Sequence, residues 1–259
     1  MMPGAGKMSG LNIGLAGVAA ENELNGISLG LIGLGSGNSM QGIMIGGIGA
    51  GSGGDMKGLI FGGLGAGSGG NLTGIAIGGL GVGASENING IGLGLIGVGA
   101  GDDLNGLMIG GIGAGAGGNA KGILLGGVGA GVGGNFTGFG FGLVGVGCGG
   151  YLKGVAIGGI GVGSPQASGM LIGGAAVSSR EFTGIGLAMG TVKIDNGGLL
   201  KGGSLSAFNY IRGEQHGVTL GVFNYTHKLY GIQIGLINYV RDNPLLFKIM
   251  PLINFNFSE

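Results

Sequence analysis

The sequence is poor in cysteine and in charge, and each scarcity excludes a class of protein. Its one cysteine, Cys148, excludes an internal disulfide framework and a cysteine-based zinc site. Charged residues are 8% of the chain, and eleven of each sign give a net charge of zero. With no basic stripe to neutralise phosphates, nucleic-acid binding is not expected. The N-terminal MMPGAGKMSG has no compact apolar run before a cleavage site, so no signal peptide is visible in it.

Glycine, by contrast, supplies 76 of the 259 residues. Collagen would need glycine at every third position, and GGLGAGSGG at residues 62–70 does not keep that rule. Hydrophobic residues are 44% of the chain and its mean hydropathy is +0.57, which disfavours disorder. The uncharged stretch 122–152 is long enough to cross a bilayer. Nearly half of it is glycine, at roughly 1 kcal/mol each relative to alanine in a helix, so no transmembrane helix is predicted.

The chain repeats about every sixteen residues. Units begin at Gly10 and at each sixteenth residue up to Gly154, and looser units begin at Gly169, Gly184, Gly202, Gly217 and Gly231. We number positions 1 to 16 from that glycine, position 16 being the residue before the next unit. Positions 2, 4, 7, 9, 11 and 15 are apolar or small, and positions 5, 8 and 10 are nearly always glycine. The spacing of two is typical of β-strands, and its shift from even to odd predicts a corner at position 5.

This pattern predicts an all-β solenoid of about fifteen coils of 14–18 residues with a C-terminal cap. Successive coils would stack about 4.8 Å apart through parallel hydrogen bonds. Positions 2, 4, 7, 9, 11 and 15 are expected to line a thin core. Apolar residues at position 3 are expected on the outer face: Met44, Ile60, Met108 and Leu124.

The alternative is an antiparallel transmembrane β-barrel, with one strand and one turn in each unit and the apolar positions facing lipid. The terminal INFNF favours the barrel. The change of phase inside each unit disfavours it, as does the apolar position 15 within the supposed turn.

Composition divides the chain into four segments: a flexible N-terminus at 1–9, regular repeats at 10–168, diverged repeats of the same stack at 169–243, and a cap at 244–259. Between residues 8 and 168 every charge lies at positions 12–16, so one edge is expected to be polar and the outer face of the strands flat and glycine-rich. In the diverged repeats Asn209, Asn224 and Asn238 each precede a tyrosine, which predicts an asparagine ladder and a tyrosine column. Thr219 and Gln233, at position 3, predict a polar face at this end.

The segment RGEQHGVTLGVFNYTHKLYGIQIGLINYVRDNP, with the later PLINFNF, resembles the C-terminal signature of uncharacterised bacterial surface-repeat proteins first noted among leptospiral lipoproteins. The upstream GLIGVGAGDDLNGLMIGGIGAGAGGN is similar to the glycine-rich repeats of many members. The resemblance covers nearly the whole chain. It implies a location at the bacterial cell envelope or surface, and it supplies no catalytic residues.

Motifs that suggest nucleotide binding follow from the repeat. Gly65, Gly67 and Gly70 fit G-x-G-x-x-G, with Glu86 about twenty residues further on. The match recurs at multiples of sixteen and no helix is expected after it, whereas a dinucleotide-binding domain uses it once before a helix. GAGKMS at residues 4–9 lacks the first glycine and the Ser or Thr of a phosphate loop. No cofactor is therefore predicted.

No catalytic or metal site is predicted either. His216 and His227 would need Glu214 as a third ligand, and we expect them to be solvated turn residues. Cys148, at position 11, is expected to be a small core residue. The sequence thus predicts a non-enzymatic structural or adhesive repeat protein. Its partner would be the envelope surface, or another copy meeting it through the glycine and apolar face.

Overall fold

The computed structural model describes residues 6–257 and shows a parallel β-solenoid of about 14 turns. No α-helix occurs among these residues. The chain divides into two compact units, Met1–Gly134 and Asn135–Glu259. Residues 1–5 of the predicted N-terminal segment, which include the start of GAGKMS, lie outside the described residues, and the first strand begins at Lys7.

The first unit alternates long and short strands. They are β1 (Lys7–Gly14), β2 (Gly17–Ala20), β3 (Glu23–Gly30), β4 (Gly33–Ser36), β5 (Ser39–Gly46), β6 (Gly49–Ser52), β7 (Asp55–Gly62), β8 (Gly65–Ser68), β9 (Leu72–Gly78), β10 (Gly81–Ala84), β11 (Ile88–Gly94), β12 (Gly97–Ala100), β13 (Leu104–Gly110), β14 (Gly113–Ala116), β15 (Ala120–Gly126) and β16 (Gly129–Val132). Each long strand runs from about position 14 of one sixteen-residue repeat through position 5 of the next, and each short strand covers positions 8–11.

The second unit begins in the same way and then lengthens its strands. They are β17 (Phe136–Gly142), β18 (Gly145–Cys148), β19 (Tyr151–Gly158), β20 (Gly161–Gly163), β21 (Gln166–Gly173), β22 (Ala176–Ala188), β23 (Thr191–Leu205), β24 (Phe208–Leu220), β25 (Phe223–Val240) and β26 (Ile249–Asn256), with a 3-10 turn at Leu245–Phe247. Strand β26 pairs antiparallel with β25, placing Ile253 opposite Ile234.

Strand pairing confirms the solenoid and excludes the barrel alternative. In the first unit Ile43 pairs with Leu59 and Ala50 with Ala66, sixteen residues apart and in parallel. A transmembrane barrel of one strand and one turn per unit would pair neighbouring strands antiparallel. The parallel register places the same position of successive repeats side by side.

The buried side chains of the coils lie at positions 15, 3, 9 and 11, and this corrects the predicted core. In the coil that begins at Gly58, positions 3, 9, 11 and 15 are Ile60, Ala66, Ser68 and Leu72, and all four are buried. The prediction was right for positions 9, 11 and 15. It was wrong for position 3, where residues expected outside are among the most deeply buried, with exposures of 0–1%: Met44, Ile60, Met108 and Leu124.

Positions 2, 4 and 7 face outward, contrary to prediction. Leu59, Phe61 and Leu64 are each about half exposed. The physical reason lies at position 5, which points inward. A Cβ on Gly62 would overlap the carbonyl oxygen of Gly65, so the backbone of the short strand fills the space that a side chain would need. Side chains therefore alternate between inward and outward without interruption from position 15 of one repeat through position 5 of the next, and the long strand has no change of phase.

The glycine that starts each unit bends the long strand. All fifteen of these glycines have positive φ, from +91° at Gly10 to +149° at Gly231. Residues other than glycine rarely adopt this backbone conformation. At Gly26, Gly58 and Gly106, among others, a Cβ would also overlap the backbone of the aligned glycine one turn earlier. The glycines that the sequence identified as the first residues of the repeats are therefore the points at which the coils bend.

Core volume is shared between position 15 of one repeat and position 3 of the next. Phe136 is buried, and its ring lies 2.8 Å from where a Cβ on Gly140 would be. Elsewhere the same pair of positions holds Leu72 with Ala76, both fully buried. Where position 15 is phenylalanine, as at Phe136 and Phe182, the residue four positions later is glycine.

This balance predicts a coupled pair of substitutions. Phe136→Leu alone leaves a cavity, and Gly140→Ala alone presses a methyl group against the ring, so we expect each to cost about 1–3 kcal/mol. The double variant recreates the Leu–Ala pair found at Leu72 and Ala76. It should therefore cost less than the sum of the single variants, with a coupling of about 0.5–3 kcal/mol. Chemical denaturation of the four proteins measures this, and strict additivity would contradict the proposed packing.

Candidate interaction surface

An apolar strip follows positions 2, 4, 6 and 7 of the coils. In the first unit every large hydrophobic side chain that is exposed belongs to it, with exposures of 38–87%: Leu11, Ile13, Leu15, Ile27, Leu31, Ile32, Ile43, Ile45, Ile48, Leu59, Phe61, Leu64, Ile75, Leu80, Leu95, Ile96, Ile109, Ile112, Ile123 and Val128. With roughly 60–120 Å² for each fully exposed apolar side chain, its area is on the order of 1,000 Å². The largest patch on a typical monomer is about 300–600 Å².

The second unit has side chains of the same kind at the same positions. They include Leu143, Val144, Ile160, Met170, Ile185, Met189, Val222, Leu236 and Ile237. Further exposed apolar residues lie in its C-terminal segment, among them Leu245, Leu246, Phe255 and Phe257. A strip of this kind is therefore a feature of each unit taken alone.

Shallow depressions lie along the strip beside glycines at position 6, such as Gly47, Gly79 and Gly174. One in the first unit, of about 510 Å³, is lined by Ile77, Leu93, Leu95 and Ile109 above Gly78 and Gly94. A second, of about 330 Å³, lies between Ile13, Leu29 and Leu31. The second unit has one of about 460 Å³ between Leu187, Met189 and Leu205. No charged side chain lines any of these three depressions.

The predicted flat glycine face occupies positions 8 and 10 of the short strands. A Cβ on Gly67 or Gly131 would find no atom within 4 Å, so internal packing does not require glycine there. Position 5, where the sequence predicted a corner, instead ends the long strand and points into the core. The glycine face and the apolar strip are therefore two separate surfaces.

With the exception of Lys7, which lies at position 14, charges are sorted by sign around the coils of the first unit. Acidic residues occupy positions 12–14: Glu21, Glu23, Asp55, Glu86, Asp102 and Asp103. Position 16, next to the apolar strip, holds Lys57 and Lys121 and no acid, and both lysines are exposed. Near the N-terminal edge, Lys7 pairs with Glu23 at 2.8 Å, and its hydrogen bond holds the pKa of that carboxyl below the usual value.

The predicted asparagine ladder and tyrosine column are confirmed in the second unit. Asn209 donates from Nδ2 to Asn224 Oδ1 at 2.7 Å, and Asn224 donates likewise to Asn238 at 2.7 Å. All three are fully buried. The rings of Tyr210 and Tyr225 stack with centroids 5.0 Å apart, and Tyr225 stacks on Tyr239 at 5.4 Å.

The polar face expected from Thr219 and Gln233 is not on the surface. Both residues are fully buried, because position 3 points inward. Gln215 Oε1 accepts from Gln233 Nε2 at 3.0 Å and from Thr219 Oγ1 at 3.3 Å. Gln233 Oε1 and Asn254 Nδ2 are buried without a partner on directly opposed residues of β25 and β26. The C-terminal core therefore contains a buried polar network beside apolar residues such as Ile211 and Leu229, whereas the core of the regular repeats is mostly apolar.

The two histidines lie inside strands and not in turns. His216 Nε2 is 3.3 Å from Glu214 Oε2, and its ring lies 4.5 Å from that of Tyr230. His227 meets the ring of Tyr225 edge-on at 5.7 Å. Both histidines are half-buried, and their place within strands corrects the predicted turn positions. Within residues 6–257 no group of three or more His, Cys, Asp or Glu side chains could hold a metal ion.

Other residues singled out in the sequence have structural places. Cys148 is buried at the end of β18, which confirms a small core residue. Gly65 and Gly67 lie in the short strand β8, and Gly70 lies in the turn before β9. The G-x-G-x-x-G match thus spans a strand and a turn of the solenoid.

Burial, followed by the charge of Arg241, lowers the pKa of His227 below its ordinary value of 6.5. The unfolded chain then takes up a proton at this ring before the folded chain does. The free energy of unfolding should be greatest above pH 6.5 and should fall as the pH drops, until the folded ring also protonates. NMR titration of the ring measures the pKa, and His227→Gln should weaken the pH dependence. A ring pKa above 6.5 in the folded protein would contradict this prediction.

Comparison with known proteins identifies no relative: no family model, curated protein or solved structure matches the sequence. No helix in the described part of the chain is long and apolar enough to span a membrane. The site is therefore defined by its own geometry, and the apolar strip is its most extensive feature. Sequence reasoning anticipated an exposed apolar face but assigned it to position 3.

Proposed function

We propose that this chain is a non-enzymatic structural repeat protein of the bacterial cell envelope, which adheres to a partner through the apolar strip. One observation carries the proposal: the strip recurs at the same positions in coil after coil. A solenoid repeats one surface at a fixed spacing, which suits extended contacts better than a single reactive centre. The resemblance to surface-repeat proteins supports the location at the envelope.

The strip suits adhesion better than the glycine face does. Burying apolar area yields about 25 cal/mol per Å², and glycine offers little of it. The side chains of the strip also protrude, as Leu95 does with three quarters of its area exposed. The polar edge at positions 12–14 is left to face water.

Cell fractionation tests the proposal. The native chain should be recovered with the envelope fraction of the bacteria that produce it. Leu31→Asn combined with Leu95→Asn removes two of the most exposed side chains of the strip, and we expect this variant to move to the soluble fraction. Gly67→Ala with Gly131→Ala, on the glycine face, is the matched control and should fractionate like the native chain. Recovery of the native chain in the soluble fraction, or unchanged fractionation of the strip variant, would contradict the proposal.

A further inference from the structure

We propose that the apolar strip rests on the surface of an anionic lipid bilayer, with the lysines of position 16 at the level of the headgroups. This inference builds on the proposed function and names the chemistry of the partner. The lysine row is Lys57 and Lys121 in the first unit, and Lys153 and Lys201 stand at the same position in the second. All four side chains are exposed.

The first observation is that the strip is apolar across its whole width in the first unit. Positions 2, 4, 6 and 7 carry no charge among residues 6–134. Its most exposed members are Leu15, Leu31 and Leu95, all at position 6 on the corner of the coil. A row of projecting leucines can enter the boundary between headgroups and acyl chains, as the apolar face of an interfacial helix does.

The second observation is the sign of the charges beside the strip. Positions 16, 2 and 4 face outward from the same long strand, so a lysine at 16 lies two residues, or about 7 Å, from the strip. Its four-carbon stem can follow the apolar surface while the ammonium group reaches a phosphate. Negative lipids attract such a group.

The acids are placed where they oppose binding least. Position 14 is four residues from position 2, or about 13 Å along the strand, which exceeds the Debye length of about 8 Å at physiological salt. Positions 12 and 13 belong to the turn beyond it. Glu21, Glu86 and Asp102 are exposed in this turn, and among residues 6–134 Asp55 is the exposed acid at position 14. The sequence of apolar, basic and acidic positions across the coil thus matches the layers of an anionic membrane surface.

The outline of the strip favours a fluid partner over a second copy. Position 6 changes abruptly from Gly79 to Leu95 and back to Gly111 on successive coils. Leu95 therefore projects beyond its neighbours. A rigid sheet packed against it would need a matching cavity at this coil, whereas acyl chains rearrange around a projection. Lipid accommodates the irregular ridge without such complementarity.

Vesicle flotation of the purified full-length chain tests the inference. We expect it to float with vesicles of phosphatidylcholine and phosphatidylglycerol, and more weakly with phosphatidylcholine alone. Lys57→Glu with Lys121→Glu should lower the partition coefficient at least about tenfold, because each lysine contributes roughly fivefold. Leu31→Asn with Leu95→Asn should abolish flotation, whereas Leu31→Met with Leu95→Met should keep it. Glu21→Gln with Asp102→Asn is the charge control and should float at least as well as the native chain.

Three results would overturn the inference. They are the absence of flotation with anionic vesicles, equal flotation of the lysine variant, and a concentration-dependent dimer that Leu31→Asn with Leu95→Asn dissolves while the native chain does not float. The third would identify a second copy as the occupant. Circular dichroism shows whether each variant is folded. If the chain fractionates with the envelope but does not bind vesicles, the proposed function stands and its partner is not lipid. If the chain binds vesicles but is found only in the soluble fraction, only the proposed location is rejected.

Discussion

Replacing Gly106 with alanine is expected to lower the free energy of unfolding by about 3–5 kcal/mol, or to prevent folding. Gly106 has φ of +129°, a conformation that alanine adopts only with strain of about 1–3 kcal/mol. The new Cβ would also overlap the carbonyl oxygen of Gly90 in the preceding coil. Because that oxygen belongs to the stacked backbone, relief requires two coils to move apart.

The matched control is Gly131→Ala in the same unit. A Cβ on Gly131 would meet no atom within 4 Å, and its φ lies outside the left-handed region. Alanine restricts the unfolded chain, so stability should be unchanged or rise by up to about 1 kcal/mol. Urea denaturation of both variants measures the difference. Similar midpoints for the two alanine variants would show that the bend at position 1 is not as described.

Asn224→Ala is expected to cost about 3–5 kcal/mol, the second of the two large effects. Asn224 is fully buried and links Asn209 to Asn238 through two 2.7 Å hydrogen bonds. It also donates to the carbonyl of Ile234 at 3.0 Å. Removing it leaves Asn238 Oδ1 without this donor and deprives Asn209 of an acceptor. Each buried polar group left unsatisfied costs about 1–3 kcal/mol.

An exposed asparagine pair provides the comparison. Asn105 donates to Asn89 across the same coil spacing at 3.1 Å, but it is exposed to solvent. Water can replace that bond, so Asn105→Ala should change the free energy of unfolding by less than about 0.5 kcal/mol. Thermal denaturation of both variants gives the contrast. A loss at Asn105 as large as that at Asn224 would contradict the role assigned to burial.

The sequence was sufficient to predict the period, the unit boundaries and the parallel stacking. The period was readable because glycine recurs at positions that the backbone geometry reserves for it, such as Gly58 and Gly74. The asparagine ladder could be predicted for a similar reason, since an in-register stack must place residues of the same position next to one another. These inferences depend on repetition and not on the direction in which a side chain points.

The direction of the side chains was harder to predict, because both faces of the long strand carry large apolar residues. In LIF at residues 59–61, Leu59 and Phe61 point outward and Ile60 points inward. Hydropathy alone favours the more frequent bulky positions, 2 and 4, as core. The missing information was the course of the short strand, whose backbone at Gly65 passes against Gly62 and leaves room for one interior residue at position 3.

The candidate surface was only partly readable for the same reason. An exposed apolar face was expected, yet its residues could be assigned only after the phase was known. The sign of the charges at position 16 was available from Lys57 and Lys121 throughout. It gained meaning once positions 2 and 4 were found to be exposed, because only then do the lysines border an apolar surface.

Thiol accessibility at three consecutive residues tests the outward-facing strip most directly. In a Cys148→Ser background, which places serine where Ser52 and Ser68 stand in other coils, Leu59, Ile60 and Phe61 are replaced one at a time by cysteine. In the folded protein, cysteines at 59 and 61 should react with a maleimide close to the rate of an unfolded control. A cysteine at 60 should react at least about a hundredfold more slowly, since exposure then requires the coil to open. Rapid reaction at 60 with protection at 59 and 61 would contradict the account and restore a core at the even positions.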